Sequence, residues 1–536
     1  MEVVPDRRAL LRAGVAVLGG AAAGGAGLLT GCSSDGSPTP APGGSVTAGP
    51  AETSTSLDPA QSWDTLATGL TGSLVRPGDG DYDTARALID PAFDTIRPQG
   101  IAYTANQADV ATAVGFARET GVSLAARCGG HSYGGYSASE GLIVDLTRMN
   151  QVTVDDKGVA TVGAGARLIK VYTDLAAAGR AIPAGSCPTV GISGLALGGG
   201  VGVLGRLHGL TCDRMTGADV VLASGEAVRV DEKRDADLFW ALRGAGGGNL
   251  GIVTAFRFAT HAARSLTLFS LRWPWGSAQE VLAAWQQWVT GKLGGMPDEL
   301  WTTLVAGSVP GASTPSLRIS GVYAGTRDGL TGPLADLRAA VRTGAPTATS
   351  ITEHDHLTAM RIEGGCSASG GDCGSTAGIR AGARRSGQRA ASAILTTPLT
   401  TAGTEVLTRM IEERQRDPLA TASGGIILDA WGGEISRVGA ADTAFVHRNA
   451  IASIQYFGGY PAGASAEVLE ANTRWLRETT AAAAPHVSGQ AYQNYIDPDL
   501  TDWADAYYGA NLPRLRTVKK HYDPQNLFHF AQSIPA

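Results

Sequence analysis

Two short segments carry the residues that could do chemistry. Arg127 to Ser137 reads RCGGHSYGGYS, and Ala184 to Gly200 reads AGSCPTVGISGLALGGG. Cys187 follows His131 by 56 residues. Glycine takes φ > 0 freely and lets backbone approach a ligand closely. An imidazole and a thiol set among glycines could be aimed at whatever group the glycines make room for. The plain alternatives are a histidine in a turn and an inert buried thiol. Two more polar segments lie near the C-terminus. One is Tyr492-Gln493-Asn494-Tyr495-Ile496-Asp497; the other starts at Tyr507-Tyr508-Gly509-Ala510-Asn511 and runs on to Asp523-Pro524-Gln525-Asn526-Leu527-Phe528.

Local patterning supplies the elements that must hold these segments. Residues 109–120 have apolar positions at helical spacing and stop before Gly121. Residues 122–126 read as a buried strand leading into the first loop, and 141–146 as another. Residues 152–162 and 219–230 read as hairpins. Helices are expected at 168–178 and 238–242, and a strand at 251–258. Beyond 266, strand-like runs at 266–273 and 317–323 alternate with Ala/Leu helices at 278–288 and 466–482. The fold class is α+β. Gly200 to Gly205 and Gly246 to Gly251 both match GxGxxG, but neither sits between a strand and a full crossover helix, so a Rossmann dinucleotide domain is not expected.

At 536 residues the chain is too long for one core. With 43% hydrophobic and 17% charged residues it reads as globular. A net charge of −6 argues against nucleic acid or an anionic membrane surface as main partner. Residues 1–32 carry a twin arginine, an apolar run and Leu29-Thr30-Gly31-Cys32. This resembles a Tat signal ending in a lipobox, which implies export and an extracellular or cell-surface protein anchored by lipid at Cys32. Residues 33–64 read as a Ser/Pro/Gly tether. The remaining divisions expected are 65–265, 266–489 and a segment 490–536 that returns to the first domain. Cys366 and Cys373 flank a short loop that an exported protein could close with a disulfide. No cysteine or histidine spacing suggests a metal site.

Together, RCGGHSYGGYS, GSCPTVGISGLALGGGVG, AYQNYIDPDL and YYGANLPRLRTVKKHYDPQNLF resemble the berberine bridge enzyme-like flavoprotein oxidases of the vanillyl-alcohol oxidase/PCMH superfamily. The resemblance covers roughly residues 65–536. It implies a PCMH-type FAD-binding domain of two α/β subdomains and a substrate domain built on an antiparallel sheet covered by helices. It also implies FAD bound twice covalently, through His131 and Cys187. Arg127, Gly129, Gly130, Ser132, Gly134 and Ser137 would line the cofactor from the first loop, and Val190, Gly191, Ser193, Gly198 and Gly202 from the second. Ile252, Val253 and Asn494 would complete that set, with Val190 at a position tied to O2 access.

The resemblance implies hydride transfer from a hydroxyl-bearing carbon of a carbohydrate or secondary metabolite to flavin, with O2 as acceptor. A base must take the hydroxyl proton. If residues 491–495 form a strand, Tyr492 and Asn494 share a face and Tyr495 points away; Tyr492 is then the first candidate. Gln455 is a substrate-side position, Asp429 and Glu434 are alternative bases, and His447-Arg448 is structural. Val201 and Leu195 depart from the family pattern beside the substrate. The rival readings are a flavin dehydrogenase with another acceptor and a non-catalytic surface lipoprotein.

Overall fold

The computed structural model describes residues 59–370, 373 and 385–536. The expected Tat leader, Cys32 and most of the tether lie outside the described residues. The tether ends earlier than residue 64, because α1 (Pro59–Gly69) is helical and buries Trp63 and Leu66.

Three sheets carry the fold. β1 (Ser73–Val75), β2 (Gly100–Tyr103), β3 (Leu124–Arg127) and β4 (Leu142–Asp145) form the first, in the order β1-β2-β4-β3. Its β2, β4 and β3 are parallel, and α2 (Gln107–Thr120) crosses between β2 and β3. Asn106 caps α2 by accepting from the Asp109 N–H at 2.9 Å, and Gly121 ends it at φ 71°. The chain then enters β3, whose C-terminal end delivers the first glycine loop.

The second sheet is antiparallel. β5 (Val152–Val154) and β6 (Val159–Gly163) make the first expected hairpin. After α3 (Leu168–Ala177) and the short β7 (Arg180–Ala181), α4 (Ile192–Leu197) follows the second glycine loop. β8 (Met215–Val221) and β9 (Ala227–Val230) make the other hairpin, and β10 (Ile252–Ala259) joins β6 to β8. β11 (His261–Ala262) pairs with β7.

A seven-stranded antiparallel sheet fills the second half. Its strands are β12 (Leu266–Trp273), β13 (Leu300–Ser308), β14 (Ser316–Tyr323), β15 (Ala348–His354), β16 (Ser386–Leu395), β17 (Gly424–Ala430) and β18 (Ala452–Pro461), in the order β15-β12-β14-β13-β17-β18-β16. One face buries Leu304, Ile319, Leu428 and Ile454 under α5 (Ala278–Val289), α7 (Thr401–Arg416) and α8 (Ala466–Ala483). Between β15 and β16, α6 (His356–Glu363) runs towards the second glycine loop, and Cys366 and Cys373 are disulfide-bonded just after it. The C-terminal α9 (Leu512–Tyr522) packs back on the first half, with Arg514 stacked 3.9 Å over the Trp240 ring.

Candidate active site

A cavity of about 1490 Å³ lies between the glycine loops and the free face of the seven-stranded sheet. One wall is nearly all backbone. A Cβ on Gly129 would fall 2.4 Å from the Gly191 nitrogen and 2.7 Å from the Thr189 oxygen. A Cβ on Gly191 would meet the Cys128 sulfur at 2.3 Å. Only glycine at both positions lets the two loops touch, and that contact brings their nucleophiles to one cavity. His131 Nε2 hydrogen-bonds Thr189 Oγ1 at 2.9 Å, and Cys187 stands exposed in the same wall. Cys128 is buried beneath the junction, and Cys212 lies in the core.

The opposite wall is made of side chains in register on three strands. Val305, Ile427 and Gln455 form one row across β13, β17 and β18. Thr303, Asp429 and Ser453 form the next, and Gly307, Gly425 and Phe457 the one on the other side. Val305, Ile427, Asp429, Gln455 and Phe457 all face the cavity. Gln455 Nε2 donates to the Tyr133 hydroxyl at 2.8 Å, so the sheet reaches across to the first loop. Tyr133 in turn stacks on Tyr495 at 5.7 Å. Asp429 is 3% exposed, a buried carboxylate set between Thr303 and Ser453 in the cavity wall.

The cavity fits a flavin dinucleotide. It exceeds the ~300–1,000 Å³ of a pocket for one drug-sized molecule. Its glycine wall offers close backbone approach along its length, and an imidazole and an accessible thiol stand in that wall.

The comparisons agree with this geometry. Residues 98–231 match the FAD binding domain family and residues 491–535 the berberine and berberine-like family. An FAD-linked oxidoreductase of Bacillus subtilis is 31% identical over 87% of this chain and 98% of its own. A xylooligosaccharide oxidase of Thermothelomyces thermophilus is 34% identical over 82% of this chain and 87% of its own. The solved glucooligosaccharide oxidase of Acremonium strictum, which carries a 6-S-cysteinyl, 8α-N1-histidyl FAD, superposes with a TM-score of 0.77 at 27% identity, covering 88% of this chain and 98% of that one. The chain belongs to the berberine bridge enzyme-like FAD-linked oxidases. It is an FAD-dependent oxidoreductase acting on CH–OH donors, of the PCMH-type fold.

For a berberine bridge enzyme-like oxidase, most of the expected cofactor residues line the cavity. Gly129, Gly130, His131, Ser132 and Ser137 do so from the first loop, with Cys187, Val190, Gly191, Ser193 and Gly202 from the second, and Ile252, Val253 and Asn494 beyond. Arg127 lines the cavity as well, with its guanidinium buried on Asp145, at 2.6 Å, and on the Ala85 carbonyl, where it braces β3. Two expected residues lie outside the lining. Gly134 is outside the lining and makes room for the Tyr136 ring. Gly198 is also outside it; its bare Cα admits the Asn494 amide, which a Cβ would strike at 2.0 Å.

The expected strand at 491–495 is a 3₁₀ turn, Gln493–Tyr495. Side chains therefore do not alternate, and Tyr495 lines the cavity instead of pointing away. Tyr492 is 2% exposed. Its oxygen accepts from the Gly200 and Val201 N–H groups at 3.1 and 3.3 Å and from Asn494 Nδ2 at 2.9 Å. Burial pushes its hydroxyl up to about 12, and those donors only partly offset it. Tyr492 thus ties the turn to the second loop, and it also lines the cavity. Glu434 pairs with Arg437 at an exposed helix end, away from the cavity. Arg448 is locked on Asp213 at 2.6 Å and buried His447 on Gln490 at 2.8 Å, as structural groups. Sequence reasoning missed Tyr133, Tyr495 and Phe457, and it set aside Gly246 to Gly248, which form a third glycine stretch of the wall.

Proposed function

We propose that this protein oxidises a hydroxyl or hemiacetal carbon of a carbohydrate, or of a related secondary metabolite, and uses O2 as the acceptor to give H2O2. Bound FAD supplies the two-electron acceptor for the carbinol hydrogen. The observation that carries the reading is Asp429, a buried carboxylate on the sheet face that lines the same cavity as His131. A carboxylate accepts hydrogen bonds and can take a hydroxyl proton as the C–H bond breaks. Asp429 is the base in this reading. Gln455, held by Tyr133, orients the oxygen, and the row Val305–Ile427 keeps water from the reacting carbon. The xylo- and glucooligosaccharide oxidases among the relatives support a sugar as substrate.

The same reading attaches FAD through His131 and Cys187. With His131 Nε2 engaged by Thr189, the bond is assigned to Nδ1, in keeping with the N1-histidyl link of the Acremonium enzyme. Export by the Tat route and a lipid anchor at Cys32 complete the proposal, on the strength of the N-terminal sequence.

The test is anaerobic mixing of the purified yellow protein with xylo-, cello- and chito-oligosaccharides. Bleaching of the flavin band, and equimolar H2O2 in air, are expected from at least one. Absence of bleaching by all sugars would refute the carbohydrate assignment. Rapid bleaching with slow recovery in air would favour a dehydrogenase. In acid-denatured protein the colour should stay on the chain in His131→Ala and in Cys187→Ala, and leave it only in the double variant.

A further inference from the structure

The third glycine stretch poses a physical problem. Gly244, Gly246, Gly248 and Gly251 all have positive φ, from 77° to 143°. Such backbone is free to move unless something outside it holds it. Gly246 to Gly248 nevertheless form part of the cavity wall. The Gly244 and Gly246 N–H groups donate to the Leu197 carbonyl at 3.0 and 2.8 Å, and the restraint on the residues beyond them comes from the far end of the chain. Lys519, on α9, and Asp523 are both fully buried, and their charges meet at 2.6 Å. The ammonium has three acceptors: Asp523 Oδ2 at 2.6 Å, the Phe528 carbonyl at 2.6 Å and the Asn249 carbonyl at 2.8 Å. Asn249 then closes the loop on itself, donating from Nδ2 to the Ala245 carbonyl at 3.1 Å and accepting from the Ile534 N–H at 2.8 Å. Asp523 also accepts the Leu527 and Phe528 N–H groups, so the pair organises the tail that supplies Ile534.

We propose that Lys519 is a positioning residue of the flavin site: from behind the cavity wall, it fixes the Gly246–Asn249 backbone against which the cofactor seats. Its charge is neutralised on the spot by Asp523, so it acts by geometry and not by field. A buried, fully satisfied pair is weak support for stability alone, since an apolar replacement often costs little, whereas a pinned loop needs a fixed donor. The inference rests on FAD occupying this cavity and is independent of which alcohol is oxidised.

The test uses Lys519→Met combined with Asp523→Asn. The double change leaves no uncompensated charge and keeps a side-chain oxygen for the Leu527 and Phe528 N–H groups. Hydrogen exchange of the intact protein is expected to speed up at least tenfold at amides 246–250, with β10 and β13 within twofold of the parent. Flavin per polypeptide is expected to fall below half. Exchange at 246–250 within twofold of the parent would overturn the proposal, and so would an equal rise across the whole chain, the mark of a purely structural role. Lys519→Met alone, with Asp523 left charged, should show the same local effect plus a lower melting temperature; a lower melting temperature without the local effect would also count against it.

Discussion

The two walls of the cavity are built on opposite principles. The cofactor wall is backbone, and its information lies in what is missing: a Cβ at Gly129 or Gly191 would collide with main chain or with the buried Cys128. The substrate wall is side chain, with Asp429, Gln455 and Phe457 in adjacent rows of a rigid sheet. The first wall must stay the same to hold one fixed molecule. The second can change one residue at a time without disturbing the strands beneath. Changes on one wall should therefore cost cofactor, and changes on the other should cost turnover or selectivity.

Gly129→Ala tests the first half most severely. The new methyl meets the Gly191 nitrogen and the Thr189 oxygen, neither of which is the end of a flexible side chain. Overpacking of this kind costs about 1–3 kcal/mol where it can be absorbed. Here relief requires the two loops to part, and with them His131 and Cys187. The purified variant should carry almost no flavin absorbance; full flavin content would break the comparison. Asp429→Asn is the counterpart on the other wall. It should keep flavin per polypeptide at the parent level and lower kcat by roughly 10²–10⁴, the usual worth of a general base. Loss of flavin in that variant would show that the walls are not separable.

The comparison also explains what the sequence disclosed. A glycine wall leaves clustered glycines around a histidine and a cysteine, and such clusters stand out on a page. Helix and hairpin limits were legible for the same local reason: Asn106 and Gly121 punctuate α2, and Asp-Lys-Gly turns β5 into β6. The substrate wall leaves no such mark. Phe457 and Ile427 look like any buried strand residue until the register sets them beside Gly425 and Gln455. Tyr495 is misplaced when 491–495 is read, from the resemblance, as a returning strand, because the Asn494 contacts with the Leu195 carbonyl and Tyr492 hold it in a turn. Nothing in the neighbourhood of Arg127 announces its ion pair with Asp145, 18 residues on.

The seam between the halves offers a third probe. His208, His261 from β11 and His356 from α6 gather beside Tyr172 of α3, with the first two rings stacked at 3.8 Å. Burial pulls them down to about 3, 4 and 4 respectively, helped by His261, Arg214 and Arg264 beside His208, by Arg214, Arg180 and Arg264 beside His261, and by His261 beside His356, where Asp355 opposes it. Each folded value lies below the ordinary 6.5, so the unfolded chain binds these protons first. Stability is complete above pH 6.5 and is lost as pH falls towards 4. At pH 5 the fully buried His356 contributes up to about 2 kcal/mol of that loss, and the half-buried pair less. The melting temperature should fall between pH 7 and pH 5, and His356→Leu should reduce the fall; an unchanged slope would remove the seam from the account.

Phe457 sets the finest test, because it separates binding from chemistry within one wall. In its row Gly307 and Gly425 carry no side chain, and a Cβ at Gly425 would meet the Ala306 oxygen at 2.2 Å. The glycines let the strands approach closely, and Phe457 is the residue of this row that lines the cavity, where a ring stacked on it gains ~0.5–1.5 kcal/mol. Asp429 lies two rows away, so the reacting carbon does not depend on that contact. Phe457→Ala should raise KM about tenfold with kcat and flavin content within twofold of the parent. A fall in kcat matched by no change in KM would mean that the ring shapes the transition state, and that binding and chemistry on this wall are not divided by row.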